Sequence, residues 1–434
     1  MNQYKAYPAY KDSDIQWIGK VPEHWKVAQI KRISTLNPKK SSLTIERDAL
    51  CTFLPMEKLR TNAVTLDETR TIEDVYDGYS YFCNRDILIA KVTPCFENRN
   101  IAVADGLVNG VGFGSTEINV IRTNEKGHNR FLYYRLQEEQ FRKIAISEMR
   151  GTGGLKRVPT EIFESFSIGF PDIEEQAAIA ATLDRETARI DALIQKKTRF
   201  IELLKEKREA LITHAVTKGL DPKVKMKDSG VEWIGQVPEH WEVKPFFALV
   251  TELKRKNTGL IETNILSLSY GNIIQKPKSR NMGLTPESYE TYQIVEAGEI
   301  VFRFTDLQND KRSLRSAQVT QRGIITSAYL AVKPHGIDST YFAWLMRSYD
   351  LCKVFYAMGG GLRQSLKFED VKRLPILIPS HEQQTNIANA IDVETARIDT
   401  LVDKTEQSIT LLKERRAAFI TAAVTGQIDL RGKQ

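Results

Sequence analysis

Apolar and polar positions along this chain follow two regimes, and each regime occurs twice. Between Pro171 and Thr217, and again between Pro379 and Thr425, no glycine or internal proline interrupts a run rich in Ala, Leu, Glu, Lys and Arg. These residues favour helix, and each run stops at a glycine, Gly219 and Gly426, as helix ends prefer. In the first run Leu183, Ile190, Leu193, Phe200, Leu204 and Leu211 recur on steps of three, four and seven. In the second, Ile391, Ile398, Leu401, Leu412 and Phe419 take the equivalent places, with Thr405 and Ser408 as gaps. A narrow apolar seam on a long helix is the pattern of a coiled coil. Each helix of about 44 residues spans roughly 65 Å, more than the adjoining globular segment covers, so the better partner for one seam is its duplicate.

The rest of the chain changes period, to short apolar runs bounded by turn residues. Arg85 to Lys91 (RDILIAK) aligns with Gly298 to Phe304 (GEIVFRF), Ser115 to Val120 with Ser327 to Val332, and Phe131 to Gln137 with Tyr341 to Arg347. The first of these blocks predicts buried strands and the last short amphipathic helices. DSDIQWIGKVPEHW (Asp12 to Trp25) returns as DSGVEWIGQVPEHW (Asp228 to Trp241), and ETARID at Glu186 returns at Glu394. The chain is a tandem duplication. If a two-fold axis perpendicular to the helices relates the copies, the helices run antiparallel, as a rod with one head near each end. Duplex nucleic acid is the commonest target with two-fold symmetry of shape.

Composition narrows the class. An apolar fraction of 41% and a charged fraction of 27% are ordinary for a globular protein, and 434 residues suit two to four domains. No apolar run approaches a membrane span and the N-terminus lacks an apolar signal region, so a cytoplasmic protein is expected. Cys51, Cys83, Cys95 and Cys352 form no CxxC pair and suggest reduced thiols. A net charge of +7 and a pI near 9.0 are compatible with a polyanionic partner.

Catalytic constellations are missing from the sequence. Gly359-Gly360-Gly361 is followed by Leu362 and Arg363, so no GxxxxGK[ST] phosphate loop is present, and Gly112-Phe113-Gly114 lacks a dinucleotide or methyl-donor context. Asn37-Pro38-Lys39 falls short of the tetrad of an amino-methyltransferase. The six histidines form neither HExxH nor a Cys-His cluster, so no metal site is expected; Glu252-Leu253-Lys254 is an isolated ExK string. His24 and His240 in the repeated WIGxVPEHW block have only Glu23 and Glu239 beside them in both copies. The block reads as a packed cap in which Trp17, Trp25, Trp233 and Trp241 bury apolar area and Pro22 and Pro238 fix the chain.

Basic, glycine-rich loops carry the binding chemistry. Before the first long helix stand Arg150, Gly151, Lys156 and Arg157; before the second stand Gly360, Arg363, Gln364 and Lys367. Glycines admit backbone close to phosphate, and Arg and Gln offer paired hydrogen bonds to base edges. Other candidates differ between copies: Lys91, Arg99 and Asn100 in the first, Arg303, Arg312, Arg315 and Arg322 in the second. Divergence inside a shared frame is what two unlike half-sites need.

With these blocks in order, the glycine-rich loop, a proline, the triplets Glu174-Glu175-Gln176 and Glu382-Gln383-Gln384, ETARID and LLKEKREALI or LLKERRAAFI, the chain resembles the specificity (S) subunit of type I restriction-modification systems. The resemblance implies an α+β architecture. Target recognition domains at 1–170 and 218–378 are joined by conserved helices at 171–217 and 379–425 in an antiparallel coiled coil, with a tail at 426–434. It implies that each domain reads half of a split double-stranded DNA site and that the helices set the gap. It also implies partners: two methyltransferase subunits carrying S-adenosylmethionine, and restriction subunits using ATP and Mg²⁺, with no cofactor in this chain. A non-catalytic protein scaffold, or the specificity part of another multi-subunit restriction-modification enzyme, are the alternative readings; a single-chain methyltransferase or nuclease is disfavoured by the missing motifs.

Overall fold

The computed structural model describes residues 4–152, 154–276, 288–307, 314–358 and 365–431. It divides into two compact units, residues 1–197 with 407–434 and residues 198–406, so each long helix gives one half to each unit.

The first unit carries a head with two four-stranded sheets. One has the order 101–103, 87–90, 118–123, 34–36, all antiparallel. The other has the order 69–71, 50–54, 111–114, 80–83, with its two central strands parallel. Ile87–Ala90 is buried at every position, as its continuous apolar run requires of a strand covered on both faces. Gly112 and Gly114 lie where a Cβ would meet the Phe82 ring at 2.3 Å and Leu54 O at 2.6 Å, so close packing accounts for that glycine pair.

In the second unit the same first sheet recurs, in the order 316–318, 300–302, 330–334, 250–252. The mixed sheet recurs as two antiparallel pairs, 293–295 with 323–325 and 266–269 with 272–275, joined among the described residues by the parallel bridge of Ile265 to Ile324. The helix at Asn129–Arg135 has its counterpart at Ser339–Leu351. Strands 26–29 with 167–170, and 242–245 with 375–378, close each head just before its long helix begins.

The long helices run Ile173–Lys218 and His381–Val424. Their starts are fixed by the repeated triplet. Gln176 donates to Pro171 O (2.9 Å) and Lys126 O (2.9 Å) and accepts from His128 N (2.8 Å). Gln384 does the same work with Pro379 O (2.9 Å) and Asp338 N (2.7 Å). A buried amide that satisfies a helix start and a neighbouring helix cap together ties head to helix. Gly219 and Gly426 end the helices at φ +77° and +76°.

Within the first unit the start of one long helix packs on the end of the other: Ile179, Ala180 and Leu183 share a core with Phe419, Ile420 and Val424, and further on Asp191 meets Arg416. Rising numbers on one helix meet falling numbers on the other, so the halves are antiparallel. The second unit repeats this with Ile212, Ala215 and Val216 against Ile387, Ala388 and Ile391, and with Arg208 against Asp399.

The seam differs from expectation at several positions. Leu183, Ile190, Leu204, Ile391, Ile398 and Phe419 are buried, and Leu211 and Leu412 half-buried, but Leu193 and Leu401 are 42% and 39% exposed. Phe200 is exposed as well. Thr187 and Thr395 take the buried places instead, because each hydroxyl donates to the carbonyl four residues back, Leu183 O (2.6 Å) and Ile391 O (2.7 Å). That bond satisfies the hydroxyl and leaves the methyl to pack. Thr405, expected as a gap, is buried in the same way, its hydroxyl donating to Leu401 O (2.7 Å).

Candidate nucleic-acid interface

In the first head, strand 87–90 runs on through Lys91 into a turn that returns at Asn100, whose N–H donates to Cys95 O and whose carbonyl accepts from Ala90 N. Against this turn lies a narrow hairpin. Arg150 and Arg157 exchange backbone hydrogen bonds at 2.9 and 2.8 Å, Val158 N donates to Lys91 O (2.8 Å), and Thr93 N to Lys156 O (2.9 Å). Thr93 is the rivet: its hydroxyl donates to Gly154 O (2.6 Å) and accepts from Lys156 N (2.9 Å). Gly151 turns at φ +139°, and a Cβ on it would stand 2.4 Å from Leu155 O, so glycine is obligatory for this tip.

The hairpin presents Arg150, Lys156 and Arg157 on its exposed surface, with half-buried Lys91 beneath them. Arg157 is anchored by a bidentate pair with Glu117 (Nη2–Oε1 2.6 Å, Nε–Oε2 2.9 Å), and that guanidinium holds the Glu117 carboxyl below the usual range. Among the described residues Arg150 and Lys156 form no ion pair, which leaves their charge for an anion. The tip also carries Leu155, 59% exposed, an apolar group of the kind that contacts a thymine methyl. The loop reading missed Leu155, Thr93 and Glu117, since the first is marked only by sitting among glycines and the others lie far off in sequence.

Two candidates of this head are corrected. Asn100 is 6% exposed and closes the turn through its backbone, so it faces the interior. The Arg99 guanidinium turns toward a helix end, donating to Gln137 O (3.4 Å) and Glu139 Oε2 (3.3 Å).

The second head builds the same junction: Leu366 N donates to Phe304 O (3.0 Å), as Val158 N does to Lys91 O. That places exposed Lys367 beside the end of strand 300–302, next to half-buried Arg303. Gly360, Arg363, Gln364 and Arg312 lie outside the described residues. Arg315 is corrected: it is fully buried, its guanidinium donating to Thr305 O (3.0 Å), Asp306 O (3.3 Å) and Tyr356 Oη (3.2 Å), and it acts as an internal staple. Arg322 is exposed but sits on Glu262 (3.2 Å) with Glu296 at 3.6 Å, so carboxylates already balance its charge.

The WIGxVPEHW block is structural on one side and open on the other. Trp25 and Trp241 are buried, each removing an area worth about 4–6 kcal/mol of transfer free energy. His24 Nε2 bonds Glu175 (2.8 Å), and His240 Nε2 bonds Gln383 (3.0 Å), the middle members of the two triplets. Trp17 and Trp233 depart from the expected burial, at 45% and 46% exposed, because each tops its turn and is covered on one side only, Trp17 stacked on Phe166 and Trp233 perpendicular to Tyr349. No helix among the described residues is long and apolar enough to cross a membrane.

Residues 22–203 match the family described as the type I restriction modification DNA specificity domain. The chain is similar to the Escherichia coli type I restriction enzyme EcoAI specificity subunit, 34% identical over 44% of this chain and 33% of that protein. It is also similar to the EcoEI specificity subunit, 30% identical over 48% and 35%. It thus spans about a third of the length of these two relatives. A putative MjaX specificity subunit of Methanocaldococcus jannaschii is 21% identical over 95% of this chain and 96% of its own. Among solved structures, the fold is shared with a chain from "Structural basis underlying complex assembly and conformational transition of the type I R-M system" (TM-score 0.71, 13% identity, covering 94% of this chain and 99% of that one). The HsdS subunit of Thermoanaerobacter tengcongensis matches at TM-score 0.56 and 14% identity over 94% and 98%.

Proposed function

We infer, for a chain whose residues 22–203 match the type I restriction modification DNA specificity domain, that the whole molecule is the non-catalytic specificity subunit of such a complex. Each head reads one half of a bipartite double-stranded DNA site through its loop junction. The observation that carries this reading is the duplicated junction itself. Val158 N–H on Lys91 O and Leu366 N–H on Phe304 O join the segment before each long helix to the equivalent strand, while the residue types around the two junctions differ. A constant frame with variable contact residues suits two different half-sites. Lysine and arginine neutralise phosphates, and arginine, glutamine and Leu155 meet base edges.

Joining two weak readers in one chain raises the effective concentration of the second once the first is bound. On this reading the number of helical residues between the heads sets the unread gap. The partners are two methyltransferase subunits, which carry S-adenosylmethionine, and restriction subunits, which use ATP and Mg²⁺, in the cytoplasm. Leu193 and Leu401, exposed and equivalent in the two copies, supply matching apolar contacts for two copies of one partner.

The test is selection from random duplex pools by the chain assembled with methyltransferase subunits. Enrichment of a two-part sequence is expected, and matched deletion of seven residues from each long helix changes its gap while both half-sites stay the same. Intact assembly without enrichment would favour the scaffold reading instead.

A further inference from the structure

In the first head, Arg130 opens the helix Asn129–Arg135 and lays its guanidinium 4.4 Å from the centre of the Tyr133 ring. Its Nε donates to Asp184 Oδ1 on the first long helix (3.0 Å), where Tyr134 Oη also donates (2.6 Å), and its Nη1 reaches Asn62 (2.9 Å). The second head keeps half of this arrangement. Trp344 and Asp392 stand where Tyr134 and Asp184 stand, and Trp344 Nε1 donates to Asp392 Oδ1 at 2.8 Å. The other half is gone: the equivalents of Arg130 and Tyr133 are Thr340 and Ala343.

Where those two long side chains would stand there is a cavity of about 350 Å³, bounded by Thr340, Ala343, Trp344, Asp392, Gly271 and Arg347. A water takes about 30 Å³, so the space suits a side chain. We propose that this cavity of the second head is a binding site for the guanidinium of an arginine on another polypeptide, seated on Asp392 and Trp344 as Arg130 is seated on Asp184 and Tyr134.

The chemistry agrees. The Asp184 carboxylate accepts from both Arg130 and Tyr134, whereas the Asp392 carboxylate accepts from Trp344 alone among the described residues, so it retains an oxygen for a forked donor. The Arg347 guanidinium on the far wall is directed onto the carbonyls of Gly271 and Ser316. Arg208, 5.9 Å from the Trp344 ring, is held by Asp399 at 3.2 Å. Arg208 is thus held by a carboxylate and Arg347 by two carbonyls through Nη2, and an aromatic face beside a carboxylate favours a planar guanidinium over a compact ammonium. Because the first head fills its own site, the two heads offer a shared partner unlike surfaces.

The experiment titrates the full chain with N-acetyl-arginine amide and reads tryptophan fluorescence, with Trp344→Phe identifying the responding ring. A saturable change is expected below about 10 mM, at least tenfold weaker for N-acetyl-lysine amide. Asp392→Asn should weaken it at least tenfold, and Asp184→Asn in the other head should leave it unchanged. Thr340→Arg with Ala343→Tyr, which transplants the first head's filling, should abolish binding without lowering the melting temperature. The proposal is overturned by absence of a response, by a response that survives Asp392→Asn, or by an equal response to inorganic phosphate, which would assign the cavity to Arg347.

Discussion

Arg416 reaches across from one long helix to Asp191 on the other, Nε to Oδ1 at 2.9 Å. In the second unit the residues 208 positions away make the same pair with the roles of the helices exchanged, Arg208 to Asp399 at 3.2 Å. The duplicated ETARID block thus ends in an aspartate whose partner is the arginine of the other copy's repeated LLKE block. That register requires antiparallel halves, because parallel duplicates would bring like residues together.

The pair should therefore behave as a register lock. Reversing one charge, Asp191→Arg, places two cations together and lowers the melting temperature, while adding Arg416→Asp restores it. An exposed or half-exposed pair is worth about 0.2–1 kcal/mol, so the coupling should be read from a double-mutant cycle. Lack of recovery in the double variant would contradict the pairing.

Arg135 and Glu138 form an ion pair with both side chains 3% exposed, and burial lowers the arginine pKa. Glu138→Ala leaves a buried cation without its partner, at a cost of about 3–5 kcal/mol. The second head has Leu345 and Ser348 at these places. Arg135→Leu with Glu138→Ser should accordingly recover most of the loss in chemical denaturation, the serine retaining the capping role that Glu138 plays toward Gln140 N and Phe141 N.

At the loop junction, Lys156→Ala should weaken DNA binding evenly across sequences and reduce the slope of log affinity against log salt by about one. Gly151→Ala strains the tip and drives a methyl into Leu155 O, so it should erode selection at one half-site and leave the other intact. Duplex selection with both variants in the assembled complex separates the two effects.

Acid should loosen the same hairpin. The Glu117 carboxyl is held below its ordinary value of 4.5 by Arg157, so its contribution is complete above that pH and fades as pH falls through the lowered value. Protection of the Arg150 and Arg157 amides against hydrogen exchange should decline on acidification in the parent chain. In Glu117→Gln it should be lower throughout and lack this pH dependence.

Leu193→Asp with Leu401→Asp should leave helical content and melting temperature near those of the parent, since both side chains are exposed. Assembly with methyltransferase subunits should weaken at least tenfold, measured by sedimentation. Unchanged assembly would remove these leucines from the docking surface.

Much of this protein is readable from local chemistry. Unbroken helix formers closed by Gly219 and Gly426 specify two long helices, because propensity and end-capping act within a few residues. The continuous apolar run at Ile87–Ala90 specifies a buried strand, and duplication specifies that whatever one half forms the other forms too. The repeated triplets and the EHW ending were visible as text, but their meaning is spatial: Gln176 and Gln384 bridge helix start to head, and Glu175 and Gln383 receive a histidine.

Tertiary structure alone decided which similar-looking groups face inward. Arg315 has the same side chain as the exposed arginines, yet the carbonyls of Thr305 and Asp306 and the Tyr356 hydroxyl make its burial affordable. Thr187 displaced Leu193 from the seam because a hydroxyl bonded to its own helix is apolar toward its neighbour. The space left by Thr340 and Ala343 exists only once a helix and a distant aspartate are packed together. Burial and enclosure depend on contacts between residues far apart in the chain, and periodicity within one element carries no record of them.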